Sequence, residues 1–353
     1  MAYTTIDNPV EYFNTVLYTG DDTTNRSITG VGFQPDWTWI KSRSNAYFHE
    51  LYDAVRGFSS TTNGRVLYSN STSAEGTPNT FNSFNIDGFT VSKQTGEVGT
   101  NGNGATFVAW NWLGANSTTS NTSGSITSTV SANTTAGFSI VSYTGNGTNG
   151  ATIGHGLGVA PKMIIAKRRN GDPEDWNVYH ASLGNTKRIL LNSTAAEETN
   201  AVWFNTTPTS NLFYVSGIGS INENAGTYIA YCFAEIKGYS KFGSYTGNGS
   251  TDGTFVYTGF KPAWVLIKVT STVDGWLLMD NKRDVYNQVI NQLEPSASNA
   301  ASDNTARAMD FLSNGFKFRS ANTQNNQSGA TYIYMAFAEN PFVSSTGIPT
   351  TAR

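Results

Sequence analysis

Three tandem antiparallel β-sandwich domains, jelly-roll-like in pattern, make up the all-β fold that this sequence predicts, on three observations. The first is a repeated phrase: Tyr18-Thr19-Gly20, Tyr143-Thr144-Gly145 and Tyr245-Thr246-Gly247 each lead to a Pro that opens an apolar run closed by Lys, at 35–41, 161–167 and 262–268. The second is a shared ending, Thr106-Phe107-Val108-Ala109-Trp110, Thr227-Tyr228-Ile229-Ala230-Tyr231 and Thr331-Tyr332-Ile333-Tyr334-Met335. These make a unit of roughly 100 residues, a whole small domain and longer than a solenoid or propeller repeat. The third is the strand chemistry of the runs, rich in Val, Ile, Thr, Tyr, Phe and Trp and punctuated by Asn-Gly, Asp-Gly and Thr-Gly turns.

Taken in order, repeat 1 covers 1–115 with its N-terminal segment. Residues 9–18 form the best helical candidate, with Asn8 as N-cap and Pro9 at the first helical position. Asp87-Gly88, between Ile86 and Phe89-Thr90-Val91, marks a hairpin. Residues 116–137, rich in Ser, Thr and Asn, have the composition of a linker. Repeat 2 covers 138–240 and opens with a strand, Phe138-Ser139-Ile140-Val141-Ser142-Tyr143, that runs into the turn Gly145-Asn146-Gly147. Repeat 3 covers 241–343 with almost no spacer before it, a weaker helical candidate at 285–293, and a C-terminal tail at 344–353. Repeats 2 and 3 are therefore expected to pack rigidly, repeat 1 to be hinged, and both chain ends to be tied down by contacts.

Composition narrows the function classes. A chain of 353 residues with 38% hydrophobic content fills several cores. Its charged fraction of 13% is about half the usual share, so the surface is polar and weakly ionic. A net charge of -3 gives no basic field, which argues against nucleic acid as a partner. Cys232 stands alone inside an apolar run, where a buried thiol is expected. The first residues lack a basic start and apolar stretch, and no window is long enough to span a bilayer, so a cytoplasmic product without membrane insertion is expected.

Candidate chemistry is sparse. Gly145-Asn146-Gly147-Thr148-Asn149-Gly150 spells a dinucleotide fingerprint, but no helix follows it, so a hairpin turn is expected. His49-Glu50 with Asp53 lacks the second histidine of a zinc helix. His155 has no repeated nucleophile or acid as partner, which favours a loop or edge-strand residue over a general base. Asp53 with Arg56 and Asp280 with Arg283 recur at matching positions, where repeat 2 has His180, and read as local ion pairs fastening a loop, with a polar binding site as the alternative. Asp172-Pro173-Glu174-Asp175 lacks the alternation of a calcium loop. Asn70-Ser71-Thr72 and Asn192-Ser193-Thr194 carry the glycosylation pattern, but read as strand-exit turns with a short helical turn ending near Glu75 and Glu197. No catalytic, cofactor-binding or metal site is assigned, and a non-enzymatic protein without cofactors is expected. Most tryptophans fall in or beside the repeated strand runs; Trp203 is the exposed-aromatic candidate for a glycan contact.

Three stretches carry a family likeness: the opening Met1-Ala2-Tyr3-Thr4-Thr5-Ile6-Asp7-Asn8-Pro9, the junction from Gly226-Thr227-Tyr228-Ile229-Ala230-Tyr231-Cys232-Phe233-Ala234-Glu235 to Tyr245-Thr246-Gly247, and the closing Met335-Ala336-Phe337-Ala338-Glu339-Asn340-Pro341-Phe342. Across essentially its whole length the chain resembles virion proteins of marine tailed bacteriophages described as tail fibre proteins. That family has no motif of established catalytic or binding residues to carry over. What the resemblance implies is a place on the outside of a phage particle, made in the host cytoplasm, as an adhesion fibre or a capsid decoration. Other virion proteins and copies of itself are the implied partners, with a host surface glycan as the ligand of a lectin-like alternative.

Overall fold

The computed structural model describes residues 4–61, 63–93 and 99–341. The expected anchoring of the chain ends falls largely on 1–3 and 344–353, which lie outside the described residues. Repeat 1 contains β1 (Phe13–Thr19), β2 (Arg26–Thr29), β3 (Trp37–Ser42), β4 (Glu50–Asp53), β5 (Leu67–Tyr68), β6 (Phe81–Asn85), β7 (Gly88–Val91) and β8 (Thr106–Trp112). They build two antiparallel sheets, β1-β8-β3-β4-β5 and β2-β7-β6. Pairing of first strand with last and second with penultimate gives the nesting of a jelly roll; β4 staying beside β3 in the same sheet departs from it. Asn85 pairs with Gly88 across the expected Asp87-Gly88 hairpin.

Repeat 2 is preceded by β9 (Thr119–Asn121) and β10 (Ser128–Asn133), and contains β11 (Phe138–Thr144), β12 (Ala151–Gly154), β13 (Met163–Arg168), β14 (Asn177–His180), β15 (Lys187–Leu190), β16 (Glu198–Thr199), β17 (Leu212–Val215) and β18 (Thr227–Phe233). Its large sheet runs β16-β15-β14-β13-β18-β11-β10-β9, faced by β12-β17. Repeat 3 contains β19 (Ser240–Thr246), β20 (Phe255–Tyr257), β21 (Phe260–Val269), β22 (Trp276–Asp280), β23 (Asn291–Gln292), β24 (Ser302–Asp303), β25 (Met309–Leu312), β26 (Gly315–Phe318) and β27 (Thr331–Pro341). Here the sheets are β19-β27-β21-β22 and β20-β26-β25, with β23-β24 as a small ribbon.

Three expectations of local structure are corrected. Residues 9–18 form only a 3-10 turn at Pro9–Glu11 before β1, because Phe13 and Thr15 are buried in strand alternation against β8, and Asn8 makes no capping bond. Residues 285–293 are not helical: the Asp284 carboxylate accepts the amides of Ile290 and Asn291 and holds an open loop. The 116–137 segment is not a bare linker, since β9 and β10 extend the second large sheet through Val130 and its neighbours.

Nor is repeat 1 hinged, because the three large sheets share one core. Each has two buried faces, which is why β3, β13 and β22 are buried at every residue. One face packs on the small sheet of its own repeat, around Phe81 and Phe107, Trp203 and Phe213, or Phe311 and Phe316. The other faces a common axis, where Trp37, Trp112, Tyr231, Phe233, Trp264 and Phe337 meet. Trp37 stacks on Tyr231 at 4.3 Å, Phe13 on Phe337 at 5.0 Å, and Trp112 lies edge-on to Trp264 at 5.7 Å. Each such ring adds about 2–3 kcal/mol by burial, so the shared core rivals the private ones.

The seams around this axis repeat in a closed cycle. The buried Lys41, Lys167 and Lys268 each donate from Nζ to a carbonyl of a neighbouring repeat, Ser298 at 3.1 Å, Thr72 at 3.0 Å and Thr194 at 3.1 Å. Backbone bonds follow the same cycle, from Glu75 to Arg169 at 2.8 Å, Glu197 to Thr270 at 2.9 Å and Ala301 to Arg43 at 2.8 Å. Trp176 and Trp276 donate from Nε1 to the carbonyls of Tyr68 and Leu190. His49 occupies the equivalent place in repeat 1 and faces the Glu294 backbone.

Candidate functional site

The repeated phrase Tyr-Thr-Gly has a single structural explanation. In register, Phe13, Phe138 and Ser240 at one end of the large sheets pair with Trp112, Phe233 and Phe337, while Thr19, Thr144 and Thr246 pair with Thr106, Thr227 and Thr331 at the other. The passages from repeat to repeat leave from the first end, and three exposed loops, 21–25, 146–150 and 248–252, leave from the second.

Three fully buried asparagines hold these loops. Asn101 accepts the amide of Asp21 and donates to Asp21 Oδ1 and the Thr23 carbonyl. Asn222 does the same with the Asn146 amide, Asn146 Oδ1 and the Thr148 carbonyl. Asn326 repeats it with Asn248 and the Ser250 carbonyl. The tyrosine of each phrase fixes the asparagine: Tyr18, Tyr143 and Tyr245 donate to the carbonyls of Thr100, Ile221 and Asn325, each at 2.7 or 2.8 Å. The glycine permits the approach, since a Cβ on Gly20, Gly145 or Gly247 would stand 2.0, 2.3 or 2.2 Å from the carbonyl oxygen of Gly102, Glu223 or Gln327. Composition and motif reasoning missed these asparagines. Their signal was available as a fixed spacing, five residues ahead of Thr106, Thr227 and Thr331.

The first loop differs from the other two, which share Asn-Gly followed by Thr or Ser. Asp21 and Asp22 lie in the first, Asn146 and Asn149 in the second, Asn248 and Asp252 in the third. Thr23 bonds hold the exposed Asp21 carboxyl down to about 2, so it is ionised at neutral pH. The arrangement offers carboxylates, amides and hydroxyls on a rigid base, chemistry suited to hydrogen-bonded contact with a polar surface.

The predicted candidates fall elsewhere. Trp203, expected to be exposed, is 1% exposed; the 3-10 turn Ala201–Trp203, capped by Asn200 on the Val202 amide, tucks it into the repeat 2 core edge-on to Tyr179. Its sequence neighbour Phe204, in the left-handed region, takes the outward position. A glycan contact through Trp203 is thereby removed. The 145–150 segment is a turn between β11 and β12 with no helix after it. His49 precedes β4 and Glu50 opens it, and they have separate partners: His49 Nδ1 accepts from Trp39 Nε1, while Glu50 accepts from Tyr52 and the Gly99 amide. Burial lowers the His49 pKa and raises that of Glu50 to about 7.

His155 is buried with its ring on the Thr209 carbonyl and the Leu157 amide. His180 is buried on the Tyr334 carbonyl, and desolvation pulls it to about 4. Asp53–Arg56 and Asp280–Arg283 are ion pairs with fully buried side chains, and they serve the axis: Tyr231 donates to Asp53 and Trp110 to Asp280. Asp175 accepts from Asn192, and Glu174 pairs with Arg168. Asn70 and Asn192 accept the amides of His49 and Trp176, so these are strand-exit turns, without the helical turn expected after them. Cys232 is buried, and its thiol is pushed up by desolvation.

Neither the curated proteins nor the solved structures yielded a match to this chain. A family model described as Domain of unknown function (DUF7483) matches residues 8–341, from the 3-10 turn ahead of β1 to the end of β27 and across all three repeats, and the chain belongs to that family.

Proposed function

We propose that this protein is a non-enzymatic structural component of a tailed bacteriophage particle, exposed as part of a fibre or host-contact device. The observation that carries the reading is the two-ended architecture. The chain leaves repeats 1 and 2 at one end of a three-sandwich cluster, after Trp112 and Phe233, and three clamped polar loops stand at the other. Such a body suits display: the clamp is repeated, and it presents Asp21 and Asp22 in the first loop and Asn-Gly followed by a hydroxyl residue in the other two. The resemblance to virion proteins supports the location.

The test is to insert an epitope tag after Asp252, whose side chain is 78% exposed, and to label intact particles. Antibody at the tail is the expected outcome, and antibody over the shell would favour the decoration alternative. Absence of the chain from purified particles by mass spectrometry would overturn the proposal.

A lectin-like reading rests on a different observation. β20 has Phe255 and Tyr257 on its outer face, 43% and 55% exposed, with Val256 buried between them. Two rings two residues apart offer a stacking surface for a sugar, and a glycan array with Tyr257→Ala tests it: undiminished binding removes this strand from the reading.

A further inference from the structure

The three seams share one backbone plan, and because Ala301 takes the place of the glutamate at the seam of repeats 3 and 1, the seam of repeats 1 and 2 is the control for that of repeats 2 and 3. Two residues beyond each buried lysine stand Arg43, Arg169 and Thr270, whose amides donate to the carbonyls of Thr106, Thr227 and Thr331 at 2.7, 2.8 and 2.8 Å. At the seam of repeats 1 and 2, the Arg169 guanidinium bonds both oxygens of Glu75, at 2.9 and 3.1 Å, and Ser142 Oγ at 3.1 Å. Arg56 reaches the same carboxylate.

At the seam of repeats 2 and 3 the receiving groups are retained and both guanidinium groups are missing. Glu197 takes the place of Glu75, since its amide donates to Thr270 as that of Glu75 does to Arg169. Each glutamate also pairs with the cation ten residues before it, Arg65 or Lys187. Ser244 stands for Ser142, one residue ahead of the clamp tyrosine. Arg169 is replaced by Thr270, and Arg56, three residues after Asp53, by Leu183, three after His180. The space left is a cavity of about 390 Å³ lined by Lys187, Glu197, Ser244, Thr270, Thr331 and Tyr332. Lys187 holds Glu197 through Oε1, and Glu197 is 23% exposed, so the carboxylate is reachable from solvent.

We infer that this cavity binds a guanidinium group from outside the chain, either the side chain of an arginine on a partner protein or a small guanidinium compound. Glu197 receives it in the bidentate fork that Glu75 gives Arg169, and Ser244 takes the third bond. A primary ammonium lacks the planar fork and fits the site less well. The inference stands apart from where the protein resides.

The test titrates the full chain with methylguanidinium and, separately, methylammonium, following the amides of Glu197, Ser244 and Thr270 by NMR. Saturable shifts with methylguanidinium alone are expected. Glu197→Gln should weaken binding by about tenfold or more. Thr270→Arg should fill the cavity from within, abolish the shifts and raise Tm; if that variant does not fold, Glu197→Gln decides. An arginine-containing tripeptide that binds more tightly than methylguanidinium points to a partner's arginine, and equal binding points to a small compound. No saturable shift, an equal response to methylammonium, or undiminished binding by Glu197→Gln overturns the inference.

Discussion

At the scale of single residues, two kinds of buried polar group are at work. The asparagine clamps are satisfied on every side, so truncating one leaves loop amides and carbonyls without partners. Asn222→Ala is expected to lose about 2–3 kcal/mol and to open the 146–150 loop to proteases. A denaturation midpoint within error of the wild type would refute the clamp. Glu50 is the other kind, a carboxyl whose burial raises its pKa to about 7. Its folded pKa lies above its unfolded one, so its stabilising contribution is complete below about pH 4.5 and is lost as pH rises through about 7. Glu50→Gln should therefore gain on the wild type by on the order of 3 kcal/mol between those limits, read as the difference between two Tm–pH curves. Parallel curves would show that Glu50 does not titrate in this window.

At the scale of elements, the lysines that close β3, β13 and β21 stitch one repeat to another. Lys167→Met keeps the bulk but removes the donor to Thr72, whose carbonyl also accepts the Glu174 amide. Faster hydrogen exchange at Glu174 and its neighbours is expected, with the sheet interior unchanged; an unaltered exchange map would mean that the lysine does not hold the seam. The strands, their turns and the threefold unit were legible in the sequence, because apolar runs ending in Lys and Asn-Gly or Asp-Gly turns are local signals. The failures share a cause. Residues 9–18 have the start signals of a helix, yet the partner strand β8 lies about ninety residues away and imposes strand alternation. Trp203 reads as exposed beside Asn205-Thr206-Thr207-Pro208, but one capped 3-10 turn reverses its direction. The polar 116–137 segment looks like spacer because β9 and β10 take their order from β11, not from their own apolar content.

At the scale of the molecule, the axial core makes the three repeats one folding unit. Heating should give a single transition with equal calorimetric and van't Hoff enthalpies, and separate transitions would contradict the shared core. A chain ended at Ile236 would leave Phe13, Trp112 and Phe233 without Trp264 and Phe337. It is expected to aggregate or to bind a hydrophobic dye strongly, and a soluble, dye-silent monomer would sink that expectation.

The replacement of Arg169 by Thr270 has a consequence for how such a body changes over time. In a trimer of identical subunits every substitution appears three times, so a change that empties one joint empties all, and the particle falls apart. Covalent fusion lifts that constraint: the fork of Arg169 on Glu75 is kept at one joint, while the joints at Thr270 and Ala301 are free to differ.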